Sequence, residues 1–258
     1  FLTSKASAML EQALLLVLLF LPLAAGLFVA LLGPDRGGLV RGISAAASVA
    51  TLILSLFLAG RFLQLERTPV PEPGKDLAAP VFTFQPEFVP GSPGARAVRA
   101  GLPSQADPHG TSWELIPLGQ GAIQFYIGVD GLNLWLVVLT AVLMLPTVLI
   151  SWKSVTERVH EFYAWLLVLQ TTMIGVFLSF DIILFYVFFE LTLIPLFFLI
   201  GIWGGPERRY AARKFFIYTL AGSLITLLGA LAVVYLCYDS TGVLSFSLPH
   251  LIQTIQDM

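Results

Sequence analysis

Residues 162–203 read FYAWLLVLQTTMIGVFLSFDIILFYVFFELTLIPLFFLIGIW, and within them only Asp181 and Glu190 carry charge. One helix needs about 20 apolar residues to cross the hydrocarbon core of a bilayer. A run of more than 40 residues is therefore two spans, joined by a tight turn at Ser179-Phe180-Asp181. Outward from it, apolar runs of spanning length lie at 13–33, 43–62 and 132–152 on one side and at 215–238 on the other. The first is longer than the roughly 7–15-residue core of a signal peptide, so it too is read as a span. The expected fold class is all-α, a polytopic transmembrane helix bundle of about six spans.

Composition agrees. The chain is 57% hydrophobic and 12% charged, with a mean hydropathy of +0.86, whereas an ordinary soluble domain carries about 25% charged residues. Too few charges remain to clothe a water-facing surface, so the lipid bilayer must be a partner. The net charge of −2 gives no footprint for nucleic acid. One cysteine, Cys237, excludes an iron–sulfur cluster held by this chain alone, because such clusters take four thiolates. His109, His160 and His250 lie outside the longest apolar runs, which leaves a haem between helices without ligands. No cofactor and no metal are expected in this chain.

The chain divides into the first two spans (1–62), an extramembrane loop (63–131), spans three to six (132–238) and an extramembrane tail (239–258). Ten of the sixteen prolines fall between Pro69 and Pro117, and residues 90–111 read as a loop without a core. Val81-Phe82-Thr83-Phe84 and Ala122-Ile123-Gln124-Phe125-Tyr126 alternate enough to form a short hairpin. With the N-terminus outside, the short inner loops hold Arg36, Arg41, Lys153, Arg158, Arg208, Arg209, Arg213 and Lys214, eight of the fourteen lysines and arginines. Long loops cross largely regardless of charge, so this bias sets an orientation with both ends outside.

Glu190 stands in the middle of the fifth span, where burying a carboxylate costs about 2.5–3.5 kcal/mol on insertion scales. Helix glue is one reading; a site that gains and loses a proton is the other, and it accounts for the use of a carboxylate where glutamine would serve at lower cost. Pro195 removes the N–H that would bond the carbonyl of Leu191, so fraying and hydration are expected beside Glu190. Thr219, Ser223 and Thr226 share a face of the sixth span, and Gln170, Thr171 and Thr172 sit in the middle of the fourth. Both groups serve either as packing contacts or as water-orienting groups in a proton path. Lys214, at the start of the sixth span, is a topology signal that also has the length to reach inward. Asp130 and Asp181 are placed to cap the third and fifth helices.

Three stretches resemble one family. Tyr126-Ile127-Gly128-Val129-Asp130-Gly131-Leu132-Asn133-Leu134 is similar to the approach to the third helix in the chain M (subunit 4) family of NADH–quinone oxidoreductase, complex I. Phe189-Glu190-Leu191-Thr192-Leu193-Ile194-Pro195, with Ile202-Trp203-Gly204-Gly205, resembles its fifth helix. Arg213-Lys214-Phe215-Phe216-Ile217-Tyr218-Thr219-Leu220-Ala221-Gly222-Ser223 resembles its sixth. The resemblance implies a proton-translocating membrane-arm subunit of a translocase, in a bacterial inner membrane or a mitochondrial-type energy-coupling membrane. Its partners would be the other membrane subunits, and quinone reduction would happen in other chains. It implies that Glu190 is the proton-transferring residue, supported by Lys214, Thr219, Ser223, Gln170 and Pro195. Family members are longer and pair this glutamate with a lysine on a later helix, so the chain is expected to be a front portion that does not complete a proton path alone. Two other readings stay open: a subunit of a multisubunit sodium/proton antiporter or membrane-bound hydrogenase, and a non-transporting structural membrane subunit.

Overall fold

A computed structural model describes residues 2–63, 112–118 and 121–257. The elements run α1 (Leu2–Leu31), a 3₁₀ turn (Pro34–Arg36), α2 (Gly37–Leu63), β1 (Ser112–Leu118), β2 (Gly121–Tyr126), α3 (Asn133–Ser154), α4 (Val159–Leu178), α5 (Ile182–Trp203), α6 (Arg208–Thr241) and α7 (Leu248–Asp257). Among the described residues, six helices, α1 to α6, are long and apolar enough to cross a membrane. Several outrun the expected spans. The 34 residues of α6 extend about 51 Å at 1.5 Å per residue, well beyond a hydrocarbon core of about 30 Å.

Helix α4 is the axis of the bundle, packed against α1, α2, α3 and α5. Close approach depends on two glycines. A Cβ on Gly26 of α1 would meet the Ala164 carbonyl and the Leu167 side chain, each at 3.2 Å. A Cβ on Gly175 of α4 would overlap the ring of Phe188 on α5, which fills that space. Among the described residues, the apolar interior shared by α1 to α5 forms two clusters. One, toward the start of α3, gathers Leu15, Leu18, Leu58, Phe62, Leu134, Val137, Ile174 and Leu178. The other, toward the end of α3, gathers Val29, Val40, Met144, Val148, Tyr163 and Leu167.

The hairpin forms with a different first strand from the expected one. Gly121–Tyr126 pairs antiparallel with Ser112–Leu118, from Ser112 opposite Tyr126 to Leu118 opposite Gly121, with an irregularity between Glu114 and Ile116. Val81-Phe82-Thr83-Phe84 lies outside the described residues. Pro117 disguises β1 in the sequence, yet a two-stranded ribbon has only edges, and an edge tolerates a missing N–H.

The turn 178–182 ties this end of the bundle together. Gly128 N–H donates to Leu178 O (2.9 Å) and Phe180 N–H to Tyr126 O (2.8 Å), while Ile182 N–H donates to Phe246 O (2.9 Å) and Leu248 N–H to Phe180 O (2.8 Å). The turn is thus held from both sides, by the lead-in to α3 and by the segment after α6. That segment leads into α7, an amphipathic helix within what the sequence reads as a tail; its Leu251 packs with Val234, Cys237 and Phe246.

Asp181 sits at the centre of this tie and is 1% exposed. Its Oδ1 accepts the N–H groups of Ile183 (2.9 Å) and Leu184 (3.1 Å), which caps α5. Its Oδ2 accepts the N–H of Gln124 in β2 at 3.0 Å. Asp130 accepts the N–H groups of Leu132 (2.8 Å) and Asn133 (2.7 Å) at the start of α3. At the opposite end, Arg41 donates to Val155 O at 2.9 Å and the Trp203 indole to Glu157 O at 2.9 Å, closing α2 and α5 onto the α3–α4 turn.

Candidate functional site: the carboxylate in the α5–α6 seam

Two contacts fix how α5 and α6 lie against each other. Gly201 sits against Ala212, where an added Cβ would come 3.5 Å from the Ala212 side chain, and the rings of Phe197 and Phe216 meet edge to face at 5.7 Å. Both belong to one antiparallel register. Carried along the pair, that register sets Glu190 level with Ser223, near the middle of both spans. The Tyr186 side chain stands one helical turn before Glu190 on the same face, with its hydroxyl within electrostatic reach of Glu190 and Ser223.

Glu190 is half-buried, and its Oε1 is closed off by the protein without a hydrogen-bond partner. A buried polar atom in that state costs free energy unless water, a proton or a further group meets it. Ser223 is buried and donates to Leu220 O at 2.9 Å, which leaves its oxygen able to accept a hydrogen bond from a donor such as the Tyr186 hydroxyl. The seam can therefore exchange a proton at a carboxylate with two hydroxyls at hand, one phenolic and one aliphatic.

Pro195 is buried inside α5, and the helix runs unbroken from Ile182 to Trp203. The expected fraying is confined to one missing bond at the Leu191 carbonyl, because the turns on either side stay intact. Thr219 donates to Phe215 O at 2.8 Å, and Thr226, which donates to Gly222 O at 3.2 Å, is exposed. Of the three hydroxyl residues on that face, Ser223 is the one set against Glu190.

Lys214 and Gln170 lie elsewhere. Lys214 is exposed on its own helix, with Nζ 5.5 Å from the ring centre of Tyr210 and 5.8 Å from that of Tyr218. The α5–α6 register places it about nine residues from Glu190 along the axis, about 14 Å at 1.5 Å per residue. Gln170 is fully buried within α4, on the face with Tyr163 and Leu167. Tyr186 is the site residue the sequence reading passed over; its spacing from Glu190 was the available signal.

A bundle of spanning helices with a carboxylate and hydroxyls in a mid-membrane seam has the build of a membrane protein with an embedded ionisable site. The family model described as "NADH:quinone oxidoreductase/Mrp antiporter, TM" matches residues 179–257, which include Asp181, Glu190, Pro195, Lys214 and Ser223. The chain is 35% identical over 246 residues to NADH-quinone oxidoreductase subunit M of Rhodobacter capsulatus, covering 93% of this chain and 40% of that protein. It is 40% identical over 134 residues to F(420)H(2) dehydrogenase subunit M of Methanosarcina mazei, covering 52% of this chain and 27% of that one. The fold matches a chain of respiratory complex I from Thermus thermophilus with a TM-score of 0.59 at 22% identity, over 92% of this chain and 38% of that one. The present chain is similar to these antiporter-like subunits over the stretches matched, and it spans 40% or less of the length of these relatives.

Proposed function

We propose that the chain forms part of a proton-translocating membrane-arm subunit of an NADH–quinone oxidoreductase. In this reading Glu190 takes up and releases the proton, Tyr186 and Ser223 guide it, and quinone reduction takes place in partner subunits. The observation that carries the proposal is the Glu190 carboxylate itself, held at mid-span with one oxygen occluded and unpartnered. A packing contact needs no ionisable group there, and an ionisable group there is costly unless its charge is used. Thr219 and Pro195 are supporting positions along the seam in this reading, Lys214 and Gln170 lie away from it and would serve only a path that extends beyond the seam, and no cofactor is assigned to the chain.

The N-terminus faces outward in this reading. The end of the bundle opposite the hairpin and α7 collects Arg36, Arg41, Lys153, Arg158, Arg208, Arg209, Arg213 and Lys214, and such a bias marks the inner side of an energy-coupling membrane. The likeness to a subunit of an F(420)H(2) dehydrogenase supports a second reading, the same membrane machinery driven by a different electron donor. Enzyme assays with each donor on the isolated complex separate the two.

A hydrophobic carbodiimide, which attacks protonated carboxyls in apolar surroundings, tests the proton site in membranes holding the assembled complex. Peptide mass spectrometry should locate an adduct on Glu190, with loss of proton translocation in step. Inhibition without modification of Glu190 would overturn the assignment.

A further inference from the structure

The two apolar clusters of the bundle are separated by a polar layer on α2, α3 and α4; α1, which also reaches both clusters, carries only apolar residues between them. On α2, Val40 and Ala47 belong to one cluster and Leu58 and Phe62 to the other; between them on the same side lie Ser48, Thr51 and Ser55, each 0% exposed. On α4, Tyr163 and Leu167 belong to one cluster and Ile174 and Leu178 to the other, with Gln170 between them, also 0% exposed. On α3, Thr140 falls between Val137 and Met144 and is 3% exposed. The face of α4 that carries Gln170 is turned toward α3, because the Tyr163 hydroxyl donates to Val148 O at 3.3 Å.

Most hydroxyls in this layer are satisfied locally. Thr51 donates to Ala47 O, Ser55 to Leu52 O and Thr140 to Leu136 O, and each keeps lone pairs that can accept. Two residues are not satisfied. The Ser48 hydroxyl and both amide atoms of Gln170 are buried without a hydrogen-bond partner. Leaving such a group unmade costs about 1–3 kcal/mol. Two such residues, each flanked on its own helix by residues of the two apolar clusters, call for a hydrogen-bonding ligand.

We propose that Ser48 and Gln170 hold ordered water in a closed pocket between α2, α3 and α4, distinct from the Glu190 seam. The donor and acceptor set fits a neutral hydrogen-bonding molecule. The Gln170 amide offers both kinds of group, and the Ser48, Thr51, Ser55 and Thr140 hydroxyls supply the rest of the two to four partners that a buried water takes. Among the described residues no Asp, Glu, Lys, Arg or His belongs to this layer, so these side chains offer an ion no countercharge. The pocket therefore solvates without storing a proton. It lies across α4 from the active seam, since Glu190 faces α6 through Tyr186 and Ser223.

Two measurements test this on the full-length protein in its assembled complex. An electron-microscopy map that resolves ordered water should show density within hydrogen-bond distance of the Gln170 amide and of the Ser48 Oγ. A dry gap, or a Gln170 amide bonded directly to protein groups, overturns the proposal. Thermal unfolding of S48A, Q170L and the double variant supplies the second readout. If the two side chains share water, Q170L and S48A each lower the Tm, and the double variant lowers it no further than Q170L alone. Full additivity of the two shifts would show separate environments and overturn the shared pocket.

Discussion

Glu190 and Ser223 stand level across the α5–α6 seam in the register set by Gly201–Ala212 and Phe197–Phe216, with the Tyr186 hydroxyl within electrostatic reach of both. Tyr186→Phe removes that hydroxyl and keeps the ring. A hydroxyl able to hydrogen-bond at such a site is worth about 1 kcal/mol, so proton translocation by the assembled complex should fall about fivefold with assembly unchanged. Ser223→Ala should act in the same direction, and the double variant should cost less than the product of the two. An unchanged rate in Tyr186→Phe would remove the phenol from the path.

Asp181 gives the fold a pH dependence with a definite sign. Burial pushes its carboxyl up from 3.8 to about 6, against the pull of the N–H groups of Gln124, Leu184 and Ile183. The folded state thus holds this proton more tightly than the unfolded chain does. Its contribution is fully present below about pH 4 and is lost as pH rises through about 6, a swing of about 3 kcal/mol for that shift. Asp181→Asn should flatten the fall in Tm between pH 4 and 6 relative to the unaltered protein. An identical slope in both proteins would show that Asp181 does not titrate there.

Much of this architecture is legible in the sequence, for a physical reason. A run of about 20 apolar residues has no other use in a chain with so few charges, so α1 to α6 stand out, and Glu190 stands out as the carboxylate inside one of them. What escaped lacks such a signal. Strand β1 contains Pro117 and adjoins a proline-rich segment, so its pairing with Gly121–Tyr126 is a tertiary fact. Helix α7 is ten residues long and packs through one apolar edge, too short for any search by span length. The stripe Ser44, Ser48, Thr51 and Ser55 repeats at helical spacing, but small hydroxyl residues within an apolar run read as ordinary packing until both flanking clusters are seen. Lys214 shows the converse: a cation at a helix start has the length to turn either way, and here its neighbours Tyr210 and Tyr218 hold it on the outer face.

The seating of Phe188 on Gly175 sets the distance between α4 and α5. Gly175→Ala puts a methyl group into the ring, and overpacking of this kind costs about 1–3 kcal/mol. The Tm of the variant should drop, and adding Phe188→Leu should restore part of it. A Tm equal to that of the unaltered protein would mean the seam has slack.

Orientation is tested by labelling from one side. With both ends outside, an impermeant thiol reagent applied outside should modify Ser104→Cys in the long loop and leave Ser154→Cys, at the end of α3, untouched. The reverse pattern would invert the bundle.

The most direct test replaces Glu190 by glutamine in the full-length protein assembled with its partner subunits. Glutamine keeps the size and hydrogen bonding of the side chain but cannot ionise, whereas Glu190→Asp keeps the charge about one carbon out of place. The measurement is NADH-driven proton uptake by vesicles, with assembly checked separately. Glu190→Gln should insert and assemble normally, lose most or all proton uptake and slow tightly coupled quinone reduction, while Glu190→Asp retains part of the activity. Normal uptake in the glutamine variant would contradict the mechanism and leave Glu190 as a packing contact between α5 and α6.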